Sequence, residues 1–340
     1  MAGNRLFLRK DFGNGRRAGP TVSRLDRGDV ARLVDAARTS RPDFILFEGV
    51  GLLEAMREVR RVLPEIPIVV DFHNVEARLY EDVRLAGLPR AVRPFVRLLW
   101  RRRLREAAEA DREALLIAGS VWTCSDRDAD LVRGAVARRP VHVVPNPIPA
   151  WCGTADLAMG RDASRSVLFV GHLGYAPNRR AIDELVTAIM PALRERFADA
   201  RLHVCGRAPR DRLKRLLEGH GHRLTADPPD LSPLYRDAAV AVMPLRQGGG
   251  TRIKALEALA VGCPVVATAK AVEGLPLEDG RHFLRAETTS DFVSALARLF
   301  EDPDLAGRLS REGRAIVQRT HGDAARADAV RRALAGIGCA

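Results

Sequence analysis

The feature that most constrains this chain is a rhythm. Short apolar runs of strand length alternate with segments whose apolar residues recur every three or four positions. "DFILFEGV" is followed by "GLLEAMREVRRVL", and "IPIVVDFHNVE" by a long helical region over roughly 76–118. "SVWTCS" leads into "DRDADLVRGAV", a helix opened by a Ser-Asp cap, and the series closes on "PVHVVPNPIP". Near-continuous apolar strands are buried on both faces, so the alternation predicts parallel sheets covered by helices. "PNPIPAWCGTADLAMGRDASR" breaks the pattern and reads as an interdomain linker. The alternation resumes with "SVLFVGHL", a helix over 179–196, "ARLHVCGR", a helix near 209–219, and "HRLTADPP". "LSPLYRDA", "AVAVMPL", a helix over 252–261 and "PVVAT" complete it. From residue 290 the pattern is helical, with breaks at Pro303 and Gly322. The expectation is an α/β protein with two doubly wound, Rossmann-like domains facing each other, over 1–149 and 150–320, and a helical tail over 321–340. Ligands belong at the carboxyl ends of such strands.

Composition narrows the class. A chain of 340 residues with 46% hydrophobic content builds two cores of ordinary size. No uninterrupted apolar run reaches membrane-spanning length. "MAGNRLFLRKDFGNGRR" lacks the apolar core and cleavage site of a secretion signal. The five cysteines are scattered without a CxxC pair, which suits reduced thiols in a cytoplasmic protein. The net charge of +12 raises the question of nucleic acid. Only four of the basic residues are lysine, the arginines are spread through the chain, and no nucleic-acid reader motif accompanies them. Nucleic acid is therefore not the expected partner. One stretch stands apart. Residues 90–105, "RAVRPFVRLLWRRRLR", hold seven arginines and no acid. Past Pro94 they read as an amphipathic helix interrupted by Phe95, Leu98, Leu99 and Trp100. Two readings stay open: a solvated helix face, or a helix resting peripherally on the anionic inner face of a membrane.

The chemistry concentrates in "RQGGGTRIKALEALAVGCPVVAT", residues 246–268. Gly248, Gly249 and Gly250 follow a buried strand, let the backbone approach a ligand and turn its amides inward. Thr251 is placed to cap the following helix. Free amides ahead of a helix N-terminus make an anion site. Arg252 and Lys254 at that positive end are unfavourable unless an anion neutralises them. Lys254 and Glu257, three apart, share a helix face, and Lys before Glu is the poorer order for a simple surface pair. A carboxylate one turn behind a phosphate site suits the vicinal hydroxyls of a ribose. His73, after "IVVDF" at a strand's carboxyl end, is the other candidate, with Asp71, Asn74 and Glu76 as companions. His203, His220 and His222 are expected to be structural. No metal-ligand spacing is present in the sequence, and "DRDAD" reads as a helix start.

These residues resemble a family. "GGGTRIKALEALAVGCPVVAT", preceded by "VLFVGHLGYAPNRRAIDEL" and "ARLHVCGRAP", is similar to the retaining, nucleotide-sugar-dependent glycosyltransferases of family 4 (group 1), which have the GT-B fold. "HNVE" and "VVPNPIP" look like the corresponding N-terminal and crossover features. The likeness runs over about residues 40–320 and is strongest in the C-terminal half. It implies a hexosyltransferase that needs no metal or other cofactor. It would take a nucleoside-diphosphate sugar and a saccharide or lipid-linked acceptor in envelope or exopolysaccharide synthesis. The resemblance places Glu257 on the ribose, and Arg179, Arg252 and Lys254, with the amides of Gly248 to Thr251, on the diphosphate and sugar. Arg207, Pro209 and Leu231 fall near the nucleobase, and His73 on the acceptor side contacts the transferred sugar or positions the acceptor, without acting as a nucleophile. Two departures stand out. The family's earlier glutamate is replaced by Gly249, and His172, Asn178, Arg179 and Arg180 stand where a fixed Arg and Lys are usual. Only about seventy residues precede His73, so the N-terminal domain reads as shortened. This keeps two alternatives in view: a nucleotide-binding GT-B protein without transfer activity or dependent on a partner, and a sugar-nucleotide epimerase.

Overall fold

The computed structural model describes residues 27–72, 75–85, 88–89, 91–134, 139–152, 165–248 and 252–337. The chain divides into two compact units. The first runs to Pro145 and also takes in the chain from Arg326; the second begins at Asn146 and ends at Ala325.

In the first unit the order is α1 (Arg27–Ser40), β1 (Ile45–Glu48), α2 (Leu53–Val62), β2 (Ile68–Phe72), α3 (Glu76–Leu85), α4 (Arg93–Ile117), β3 (Ser120–Thr123), α5 (Asp126–Arg133) and β4 (Val141–Val143). All neighbouring strands are parallel, in the order β1-β2-β3-β4. Strand side chains alternate between faces, and the sequence uses that alternation. Ile45, Phe47, Ile68, Val70 and Phe72 enter a core with Leu33, Met56, Val59 and Ala114 from α1, α2 and α4. Leu46, Val69 and Trp122 form the other face, covered by Val330, Ala333 and Leu334. Those last residues belong to α13 (Asp323–Ala335), so the terminal helix closes the first unit's sheet. Ser125 caps α5, its hydroxyl accepting from the Asp128 amide. The helical region after β2 is two helices, with Pro94 in the first turn of the second, where its missing N–H costs nothing.

The second unit holds β5 (Ser166–Val170), α6 (Ala176–Glu184), a π-helical turn (Leu185–Ile189), α7 (Met190–Arg194), β6 (Arg201–Gly206), α8 (Asp211–Gly219), β7 (Arg223–Ala226), α9 (Ser232–Arg236), β8 (Val240–Met243), α10 (Ile253–Ala260), β9 (Val265–Ala267), β10 (Leu284–Arg285), α11 (Thr289–Glu301) and α12 (Pro303–His321). Its sheet is parallel in the order β10-β9-β8-β5-β6-β7. One large core fills both faces, from Val167, Phe169, Leu202 and Val242 to Ile182, Leu256, Phe292 and Val317. Among the described residues no helix is long and apolar enough to cross a membrane.

Candidate functional site

The site begins where β5 and β6 end. The Gly171 amide donates to the Cys205 carbonyl (3.0 Å) and the Leu173 amide to that of Arg207 (2.8 Å), so the loops stay joined beyond the strands. Gly206 sits at φ +147°, and a Cβ built on it would lie 1.7 Å from the Gly171 carbonyl oxygen. Only glycine fits there. Gly171 has its own constraint: an added Cβ would meet the Asn178 Nδ2 at 2.8 Å and the Lys254 Nζ at 3.0 Å.

The bare backbone at Gly171 is what lets the Lys254 ammonium come in. Nζ donates to Asn178 Oδ1 (2.8 Å) and lies 4.9 Å from the centre of the Phe169 ring. Asn178, buried in the first turns of α6, is itself held by donating to the His172 carbonyl (2.9 Å). Burial pushes the Lys254 pKa down to about 8; Glu257 works against that and Arg252 adds to it. Glu257 follows on the same helix. Burial raises its pKa to about 7, opposed by the Tyr235 hydroxyl and by Lys254. The Tyr235 Oη donates to Glu257 Oε2 (3.3 Å). Tyr235 is buried, which lifts its pKa well above the ordinary value and keeps its proton in place as a donor. Its ring stacks on Trp151, centroids 6.0 Å apart at 21°.

Lys254 and Glu257 open onto a cavity of about 710 Å³ whose walls include Trp151, Gly171, Gly206, Arg207 and Leu231. The cavity is half polar chemistry and half apolar wall, and it could receive a ligand with an anionic centre, hydroxyls and a flat ring. The other predicted residues lie elsewhere. Arg252 occupies the N-cap of α10 and is buried. Its Nη2 donates to the Gly248 carbonyl (2.9 Å) and to Glu273 Oε2 (3.3 Å), and Lys270 joins the same carboxylate at 2.8 Å. The anion that Arg252 calls for is thus an internal glutamate, while Lys254 faces the cavity. Gly248 is at φ +120°, with the Arg252 guanidinium 3.3 Å from where a Cβ would be. Arg179 donates to the Gly174 carbonyl, and Arg180 to Gln247 Oε1 (2.6 Å), tying α6 to the loop after β8. Neither arginine, nor Pro209, is among the cavity walls. Gly249, Gly250, Thr251, His73 and Asn74 lie outside the described residues.

Sequence reasoning missed Tyr235, Trp151, Gly171, Gly206 and Glu273. The two glycines carried a signal, since each follows an apolar strand, but nothing in the linear pattern paired them. His203 donates to or accepts from Thr225 Oγ1 (2.8 Å) within the sheet, and burial pushes its pKa down to about 4.

Near the end of β2, Asp71 is buried, and Asp111 on α4 accepts from the Ala77 amide (2.9 Å) at the start of α3. Burial raises the Asp111 pKa to about 6, against those backbone hydrogen bonds. Among the described residues no group of three or more His, Cys, Asp or Glu is arranged to hold a metal.

Residues 164–302 match the family model "Glycosyl transferases group 1". No curated protein sequence matches the chain significantly. Several solved structures share its architecture. A mutant of S. aureus TarM, solved with Fondaparinux, alpha-GlcNAc-glycerol and UDP, superposes at a TM-score of 0.69 with 12% identity, over 90% of this chain and 58% of TarM. Sucrose-phosphate synthase from Thermosynechococcus elongatus gives 0.66 with 19% identity, over 89% of this chain and 76% of that one. Anabaena HepE in complex with UDP gives 0.62 with 14% identity, over 90% and 81%. The chain therefore spans under two thirds of TarM, and its fold is that of the GT-B glycosyltransferases.

Proposed function

We propose that this chain is a glycosyltransferase that binds a nucleoside-diphosphate sugar in the cavity of the 146–325 unit. It moves a hexose-type sugar, with retention, to a saccharide or lipid-linked acceptor in envelope or exopolysaccharide synthesis. The observation that carries the reading is the pairing of Lys254 and Glu257 at the head of α10, both opening on the cavity at the strand ends. Lys254 and the first amides of α10 take the diphosphate, whose negative charge the helix N-terminus favours. Glu257, steadied by Tyr235, accepts from the ribose hydroxyls. Arg207 and Leu231 line the side left for the base. As the donor bond breaks, charge grows on the leaving phosphate, and a fixed cation in a dry site stabilises it more than water would. His73 and the amides of 248–251 keep the roles the resemblance implies, on the transferred sugar. The names of the structural relatives support the donor class: UDP was bound in TarM and HepE.

A thermal-shift panel of UDP-, GDP-, dTDP-, ADP- and CMP-sugars tests this. A donor at a hundredfold over its Kd stabilises the fold by about 2.7 kcal/mol, a rise of about 5 °C or more. One nucleotide class is expected to shift the wild type and not Glu257→Ala. If no nucleotide shifts the wild type, the reading is wrong. Binding without sugar transfer to any acceptor favours the non-transferring alternative, to which Gly249 in place of the family's glutamate points.

A further inference from the structure

We propose that the amino-terminal half of α4 docks the protein onto an anionic lipid bilayer, lying on the surface without crossing it. Val92, Phe95, Leu98 and Leu99 are 41%, 62%, 64% and 66% exposed, half of the exposed large apolar side chains among the described residues. At about 100° per residue they fall within an arc of about 120°. Val96, Trp100 and Leu104 turn the other way and are half-buried, and on that side Arg97 reaches Glu81 of α3. The helix therefore has two apolar faces, and the domain core uses only one.

Charge says what covers the other. Arg101 and Arg105 project to one side of the exposed arc and Arg103 to the opposite side. Among the described residues none of the three pairs with a carboxylate, whereas Arg97 pairs with Glu81 (2.7 Å) and Arg102 with Glu106 (3.0 Å). The Arg103 guanidinium lies 4.8 Å from the centre of the Trp100 ring, its stem along the helix. An apolar strip between arginine rails matches a headgroup boundary: phenylalanine and leucine enter the acyl region and the guanidinium groups meet lipid phosphates. Arg102 falls on the arc itself, one turn beyond Leu98, and pairs with Glu106, but nucleic acid would want the cations at the centre of the contact, and there, over 92–99, the side chains of the arc are apolar. A second copy of the chain would bring like-charged rails together. This inference stands on α4 alone, independent of the donor site.

Vesicle flotation of the full chain tests it, with phosphatidylcholine alone and with about 30 mol% phosphatidylglycerol. Binding is expected only to the anionic vesicles, and to weaken with salt. Replacing Arg101, Arg103 and Arg105 by Gln should weaken it about a hundredfold, at about a factor of five for each cation. Phe95→Ser, Leu98→Ser and Leu99→Ser together should abolish it. These side chains are mostly exposed, so the melting temperature should hold; should the serine variant melt early, the exposed arginine set still decides. Leu98→Trp should add a blue-shifted fluorescence component with anionic vesicles and none with neutral ones. Equal binding to both vesicle types, no binding at low salt, or unchanged binding by the arginine variant overturns the proposal. So does a wild-type dimer in vesicle-free sedimentation that the serine variant converts to monomer.

Discussion

The strands of the 146–325 unit lie in the order β10-β9-β8-β5-β6-β7, so the chain reverses its direction of building between β5 and β8. The described strands of the other unit run β1-β2-β3-β4 with no reversal. Both sheets are parallel, with apolar strands and helices on both faces. The difference shows where a cavity comes from. At a reversal, the loops leaving adjacent strands depart to opposite sides and a crevice opens between them. The loop after β5 supplies Gly171, the segment after β8 supplies Lys254 and Glu257, and the cavity of about 710 Å³ lies there. Where order and sequence agree, successive loops lean the same way. The hollow beside Phe72 and Asp111 is smaller, about 390 Å³, and Asp111 there clamps the start of α3.

The largest expected effect compares one glycine from each unit. Gly206→Ala puts a Cβ on the Gly171 backbone, with no flexible group to yield, and should cost at least about 4 kcal/mol. Gly49, at the end of β1, is also at positive φ (+77°), but an added Cβ meets nothing within 4 Å. Gly49→Ala should therefore cost only the backbone term of that glycine-only conformation (ψ 168°), about 1–3 kcal/mol. Urea unfolding of both variants measures the gap. Equal costs would mean that the β5 and β6 loops are not in contact.

Next comes donor affinity against pH. Below about 7 the proton on Glu257 removes its accepting charge, and above about 8 Lys254 loses its cation. Affinity should peak between those values, with limbs that belong to the pair as a whole. Lys254→Met should remove the alkaline limb and weaken binding about a hundredfold. The free protein should change little in stability, because the lost hydrogen bond to Asn178 Oδ1 offsets the relief of a cation that burial disfavours. Calorimetry across pH would find a flat profile if the two groups do not touch the donor.

The smallest effect sharpens the contrast from the first unit. The Asp111 pKa is raised in the fold from 3.8 to about 6. Between those values the folded protein keeps a proton that the unfolded chain has lost, so stability falls as pH rises through this window. Asp111→Asn keeps an acceptor for the Ala77 amide and has no charge to bury. It should be more stable than the wild type above pH 6 by about 3 kcal/mol, and that advantage should vanish near pH 3. A pH-independent difference between the two proteins would show that Asp111 is not the titrating group.

Much of this was written in the linear pattern. Apolar runs became strands because alternation and continuous burial are local properties: "DFILFEGV" holds β1, "AVAVMPL" holds β8. The linear pattern does not show the break between Leu85 and Arg93, since both sides have helical periodicity. Strand β10, two residues long, is below what a pattern can register. Lys254 and Glu257 were legible together because spacing within one helix sets which side chains share a face.

What the sequence determined by itself, then, is the elements and the charges each one carries. Tertiary structure decided which charges meet. Arg252 and Lys254 look alike in the sequence, two cations at one helix start. Glu273, 21 residues on, neutralises the first, and the second is left at the cavity. Gly171 and Gly206 are 35 residues apart, yet the β5–β6 register brings their backbones together. The amphipathic last helix needed a sheet to cover, and its pattern does not say which. The reason is common to all three. Periodicity is fixed by backbone geometry within a few residues, whereas long-range partners are chosen by strand order and register, which no single segment encodes.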